Sequence, residues 1–164
     1  KIGILCICLN YPYWEYAKNM IEGAKRFFLP GHDVDYFLWS DMPKDMSYGA
    51  TLFETEPIEW PMPTLMRYHL FLQQEEALKD YDYIFFCDVD MQFVNVVGDE
   101  ILGKGLTAAL HPGYAVNKLV WPPYEPNKQS ASFISRPGQI INDEGKPRFM
   151  PMYFAGGFQG GVTT

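Results

Sequence analysis

The apolar positions at the start of the chain arrive in two rhythms. Ile2 to Leu9 is an almost unbroken apolar run, the pattern of a strand buried on both faces. Asn10-Tyr11-Pro12 ends it. From Tyr13 to Phe28 the residues Trp14, Ala17, Met20, Ile21, Ala24 and Phe28 return at helical spacing, and Pro30-Gly31 closes that helix. Val34 to Ser40 reads as a second short strand with Asp41 just past its end. This β-α-β opening predicts a parallel sheet with a crossover helix. It also puts the loop from Asn10 to Tyr13 at the carboxyl end of the first strand.

Residues 42–63 are rich in Met, Pro and Gly and hold one weak strand, around Thr51 to Thr55. Thr64 then reads as a helix N-cap, and Leu65 to Lys79 as a helix with an apolar stripe through Leu65, Tyr68, Leu72 and Ala77. Within Tyr81 to Met91 an aromatic-rich run of strand length follows and ends abruptly in the carboxylates of Asp88-Val89-Asp90. Gln92 to Val97 continues extended, Gly98 to Leu102 makes one helical turn, and Leu106 to Leu110 is a short strand running into His111-Pro112-Gly113. Residues 114–150 are irregular and proline-rich, as expected of a lid or binding loop. Met152 to Gly161 pairs a strand with a glycine-rich loop that lets backbone approach a ligand, without a phosphate-loop lysine or a Rossmann glycine fingerprint.

Composition narrows the class. At 164 residues the chain is expected to form one domain, and its 48% hydrophobic and 16% aromatic content excludes disorder. A net charge of −7 argues against a nucleic-acid partner, which needs a basic face. It leaves anionic small molecules open, since a metal supplies positive charge locally. Cys6, Cys8 and Cys87 all sit in apolar strand-like runs and read as reduced, buried thiols. Neither a signal peptide nor a transmembrane segment is visible in this chain. The first residues already read as core strand, so the chain is expected to start inside its fold. Unpaired cysteines suit a reducing cytoplasm, as in a bacterial or phage-infected host cell.

The chemistry concentrates at Asp88 and Asp90. In extended backbone, residues two apart share a side, so both carboxylates are expected to aim at one point beyond the strand. Paired hard oxygens there suit Mg²⁺ or Mn²⁺ with positions left for phosphate. The same spacing also suits carboxylates that cap a solvated turn. Arg67, in the first turn of its helix, gains nothing from the helix dipole. Either it faces solvent or it has an anionic partner near Asp88. Tyr11 or Tyr13 offers a ring to stack on a base, or simply covers the helix start. His111 could bond a substrate hydroxyl or serve the structure alone.

The order of these pieces resembles the family 6 glycosyltransferases, which include the histo-blood-group A and B transferases and α-1,3-galactosyltransferase. The resemblance runs over essentially the whole chain. It rests on Phe28-x-x-Gly31-His32, Trp60-x-x-x-Thr64-x-x-Arg67, Phe86-Cys87-Asp88-Val89-Asp90-Met91, Leu110-His111-Pro112-Gly113, Tyr124-Glu125 with Gln129-Ser130, and Ala155-Gly156-Gly157-Phe158-x-Gly160-Gly161.

The resemblance implies an α/β chain of the GT-A fold, a Rossmann-like and mostly parallel sheet flanked by helices. It implies one domain over 1–164, with a nucleotide-sugar half at 1–110 and the start of a donor-sugar and acceptor half at 111–164. The implied activity is a retaining transfer of GalNAc or Gal from a UDP-sugar to an oligosaccharide acceptor, with Mn²⁺ (or Mg²⁺) at Asp88 and Asp90. By position, Ile7, Cys8 and Leu9 match the uracil and ribose contacts, Tyr13 (or Tyr11) the stacking ring, Val89 a ribose contact, and Arg67 a donor contact beside the first Asp. His111, Gly113, Ala155, Gly156 and Gly157 match the donor-sugar and acceptor pocket, where small residues go with GalNAc. The family's candidate nucleophile, a Glu, lies beyond the glycine-rich stretch, and no residue up to Thr164 matches it by motif. The carboxyl-terminal part is therefore expected to be missing or shortened. The alternative is a module that binds a UDP-sugar, or hydrolyses it, without efficient transfer.

Overall fold

The computed structural model describes residues 1–60, 62–105, 107–110, 129, 140–141, 147–148 and 154–159. Its centre is strand β1, Ile2–Cys8, in which every residue but Ile7 is buried. β1 lies between β2 (Val34–Ser40) and β4 (Tyr83–Phe86), parallel to both, with Ile2 opposite Val34 on one side and Tyr83 on the other. β3 (Thr51–Glu54) extends the parallel sheet beyond β2. On the other edge β8 (Phe154–Gln159) joins β4 antiparallel through Phe86 and Gln159, and β5 (Ala108–Leu110) follows, for the order β3-β2-β1-β4-β8-β5. The expected mixed, mostly parallel α/β sheet is what forms.

A strand with two neighbours and no polar face must be covered on both sides, and it is. Helix α1, Tyr11–Phe27, buries Ala17, Met20, Ile21 and Ala24 against Ile4, Cys6 and Cys8. Phe28 continues that layer edge-on to Phe85 and Phe93, with ring centroids 5.2 and 5.3 Å away. On the opposite face Leu5, Phe37, Trp39 and Phe86 pack with Leu70, Phe71 and Leu78. Trp39 anchors this layer by donating its indole N–H to the Leu70 carbonyl at 3.0 Å.

Three expectations change. The helix foreseen over Leu65–Lys79 is three short pieces, α2 (Met62–Leu65), α3 (Arg67–Leu72) and α4 (Glu75–Leu78). Thr64 lies inside α2 and caps nothing. The apolar stripe is inverted: Leu65, Tyr68, Leu72 and Ala77 face out, while Leu70, Phe71 and Leu78 form the buried side. The inward positions Arg67, Leu70, Phe71, Gln74 and Leu78 keep helical spacing across the breaks at Met66 and Gln74, on the side opposite to the expected stripe. β4 stops at Phe86, before the Asp88-Val89-Asp90 turn, and the extension expected over Gln92–Val97 forms no strand beyond one parallel bridge between Val97 and Phe28. Gly156 and Gly157 lie within β8, where a loop was expected.

Contacts divide the chain into two compact units, Lys1–Ala109 with Gly156–Thr164, and Leu110–Ala155. In the second, β6 (Ile140–Ile141) and β7 (Pro147–Arg148) pair antiparallel. No helix among the described residues is long and apolar enough to cross a membrane.

Candidate functional site

At the carboxyl ends of β1 and β4 lies a cleft of about 420 Å³. Its walls carry Ile7, Leu9 and Asn10 from the end of β1, Tyr13 from α1, Ile58, Trp60, Pro63, Thr64 and Arg67 from the α2 region, Phe86 from the end of β4, and Asp88 to Met91 from beyond it. Open parallel sheets bind ligands in this place because loops diverge there from buried strands, and the volume suits a small organic ligand.

Asp88 and Asp90 both line the cleft, but not by the pleat of a strand. The backbone turns instead: the Met91 N–H donates to the Asp88 carbonyl at 3.1 Å, leaving Val89 buried and Asp90 exposed. The shared direction is thus a property of the turn. Burial pushes the Asp88 carboxyl above its usual range, the Arg67 cation pulls it back, and the Asp90 charge adds to the rise.

Arg67 is no solvated arginine. Its side chain is 12% exposed and its guanidinium lies 3.9 Å from the Asp88 carboxylate. The same group sits 4.4 Å over the Phe86 ring, and its Nε–H donates to the Thr64 carbonyl at 3.0 Å. A cation held against an aromatic face with only a loose carboxylate partner keeps N–H donors to offer an anionic ligand.

Another part of the wall is set by the turn between β1 and α1. Asn10 has φ 75° and ψ 141°, a combination that costs a non-glycine residue roughly 1–3 kcal/mol. Its backbone N–H donates to both oxygens of Asp41, at 2.9 and 3.2 Å, and the Trp14 indole N–H donates to the same carboxylate at 3.1 Å. The Asn10 side chain makes no helix-cap bond, and Pro12 occupies the first helical turn, where its missing N–H costs little. Tyr13, closed onto the Asn10 carbonyl by its own N–H at 3.0 Å, lines the cleft. Tyr11 is 72% exposed, stands edge-on to Trp14 and is not in the cleft wall.

Of the residues expected at the site, Ile7, Leu9, Tyr13, Arg67, Asp88, Val89 and Asp90 meet in this one cleft. Cys8 does not present its side chain there. It is fully buried, its thiol donates to the Tyr13 carbonyl at 3.3 Å, and burial pushes its pKa to about 12. Cys6 and Cys87 are likewise free and buried. His111 and Gly113 lie outside the described residues; Ala155, Gly156 and Gly157 are described as β8 backbone. Asn10, Asp41, Ile58 and Trp60 were not expected as site residues. Trp60 stood in the sequence four before Thr64 and seven before Arg67, a spacing that pointed to it.

Among the described residues no group of three or more His, Cys, Asp or Glu side chains could hold a metal ion. The two carboxylates in the cleft, Asp88 and Asp90, would supply a two-carboxylate donor set. That set fits Mg²⁺ or Mn²⁺, which take one or two carboxylates and complete their shell with water and ligand phosphates. It does not fit a closed structural zinc site.

The sequence profile of glycosyltransferase family 6 matches residues 1–164. The chain is 31% identical over 144 residues to globoside alpha-1,3-N-acetylgalactosaminyltransferase 1 of Homo sapiens, covering 82% of this chain and 41% of that protein. It is 31% identical over 170 residues to histo-blood group ABO system transferase 1 of Rattus norvegicus, covering 98% and 45%. With the O-antigen biosynthesis glycosyltransferase WbnI of Escherichia coli it shares 24% over 168 residues, covering 99% and 66%. The chain thus spans less than half the length of these two vertebrate relatives and about two thirds of the bacterial one.

Proposed function

The chain belongs to glycosyltransferase family 6, and on that premise we propose that its cleft binds the UDP-sugar donor of a retaining transferase acting on a glycan acceptor. The observation that carries this reading is that one cleft gathers Tyr13, Arg67 and the pair Asp88 and Asp90 from three separated stretches of chain. The cleft lining combines paired carboxylates and a fixed cation with an aromatic ring and the apolar side chains of Ile7 and Leu9. A nucleoside diphosphate combines the matching chemistry, an aromatic base and charged phosphates.

Asp88 and Asp90 would hold Mn²⁺ or Mg²⁺. When bound, the ion supplies positive charge against the diphosphate and so eases departure of UDP from the anomeric carbon. Arg67 donates N–H bonds to donor oxygens from a position fixed by Phe86 and Thr64. Tyr13 stacks against the base, and the buried Val89 gives the ribose an apolar floor. GalNAc is the favoured sugar, with Gal next, since the residues that correspond to the family's sugar pocket (Gly113, Ala155 and Gly157) are small. The donor half is assigned to 1–110 and the beginning of the sugar and acceptor half to 111–164.

The test is calorimetric titration with UDP in Mn²⁺ and in EDTA, followed by UDP release from UDP-GalNAc and UDP-Gal with and without glycan acceptors. UDP is expected to bind only with Mn²⁺. Asp88→Asn and Asp90→Asn are each expected to weaken that binding by at least about tenfold, roughly 1.4 kcal/mol. Unchanged UDP affinity in the double variant would reject the metal assignment. Donor binding without release in the presence of glycans would assign this stretch to donor binding alone.

A further inference from the structure

We infer that Asp41 is a positioning residue for the nucleobase end of the cleft: it holds Asn10 in a left-handed conformation, which sets the Tyr13 ring in the wall. The inference rests on the donor reading above. Asp41 follows β2 and Asn10 follows β1, two strands in register with Cys8 opposite Ser40. That register brings the Asp41 carboxylate, 31 residues along the chain, onto the Asn10 N–H at 2.9 and 3.2 Å. The Trp14 indole, one turn into α1, donates to the same carboxylate at 3.1 Å. A single anion thereby ties the strand end to the first turn of the helix, and Tyr13 lies between those two tie points.

Two neighbouring bonds make the arrangement directional. The Tyr13 N–H closes on the Asn10 carbonyl, and the Tyr13 carbonyl accepts from the Cys8 thiol. The Tyr13 backbone is therefore fixed on both sides, provided Asn10 keeps its positive φ. Asn does not hold this conformation by its own preference at so extended a ψ. Without the carboxylate the Asn10 N–H loses its acceptor, the φ angle relaxes, and the ring leaves its place. Ser40 steadies the carboxylate's own strand end, its hydroxyl donating to the Cys8 carbonyl and accepting the Met42 N–H. Asp41 is not among the residues lining the cleft, so its effect on a ligand passes through Asn10 and Tyr13.

The experiment compares UDP with inorganic pyrophosphate, each titrated in Mn²⁺ into the full 164-residue chain. The proteins are wild type, Asp41→Ala, Asp41→Asn, Asn10→Gly and the Asn10→Gly, Asp41→Ala pair, with thermal melts to confirm folding. Asp41→Ala is expected to lose about tenfold in UDP affinity, as for one charge-assisted hydrogen bond, and to bind pyrophosphate as wild type does. Asp41→Asn keeps one acceptor oxygen and should recover part of the loss. In the Asn10→Gly background, where positive φ is tolerated, removal of Asp41 should cost distinctly less, a departure from additivity that a merely structural role would not produce. Equal losses for UDP and pyrophosphate, or equal losses in the two backgrounds, would overturn the inference. So would UDP binding by Asp41→Ala as tight as that of the wild type. Failure of the wild type itself to bind UDP defeats the donor reading and this inference with it, and that result is seen before any variant is made.

Discussion

Arg67 is held at three points, by the Thr64 carbonyl, the Phe86 ring and the Asp88 carboxylate, and only the last involves another charge. The burial that lifts the Asp88 pKa is opposed chiefly by this arginine. Removing the cation should therefore make the Asp88 carboxylate harder to ionise and harder to load with metal. Arg67→Ala is expected to lower Mn²⁺-dependent UDP affinity by more than about tenfold. Arg67→Lys should fall between, because an ammonium keeps the charge but not the planar contact with Phe86. Titrations at two pH values check the sign: the variant's deficit should grow as pH falls, since Asp88 then protonates more readily than in the wild type.

Among the elements, the three short helices between Met62 and Leu78 depart furthest from their sequence pattern. Leu70 is 8% exposed beneath Trp39, and Leu72, two residues on, is 64% exposed. Leu70→Ala is expected to cost about 2–4 kcal/mol in urea unfolding, with loss of transfer energy and a cavity left behind. Leu72→Ala should change stability by less than about 0.5 kcal/mol. The reverse order would restore the stripe first read from the sequence. The stripe misled because the segment carries apolar residues on two sides, and Leu70, Phe71 and Leu78, not Leu65, Tyr68, Leu72 and Ala77, meet the core. The chain breaks at Met66 and again at Gln74, yet Leu70, Phe71 and Leu78 stay on one inward side.

For the molecule as a whole, burial of groups that ionise at high pH gives a distinct alkaline limit. Burial pushes the Cys8 and Cys87 thiols from 9.0 to about 12 and the Tyr36 hydroxyl from 10.0 to about 12. In that range the folded chain holds protons that the unfolded chain has released. The stability these groups contribute is therefore complete below about pH 9 and declines as pH rises toward 12. Thermal melts should fall steeply over that window, and Cys8→Ala should flatten part of the slope. In the folded chain at pH 8 the three thiols should react with a disulfide reagent only as fast as the protein unfolds.

Much of this was legible in the residues themselves. β1, α1, β2 and the placement of a carboxylate pair after an aromatic strand follow from apolar runs and spacing, which report local burial directly. The ordered motifs likewise identified the family before any geometry. What required the folded chain was every relation across long separations. Parallel register alone brings Asp41 to Asn10, and the turn at Met91, not a strand's pleat, brings Asp90 beside Asp88 in the cleft. That Tyr13 and not Tyr11 lines the cleft is likewise visible only in the folded chain. Periodicity records how often a residue meets the core along its own element; it holds no record of which distant carboxylate will accept a given N–H. That information exists only once the strands are paired.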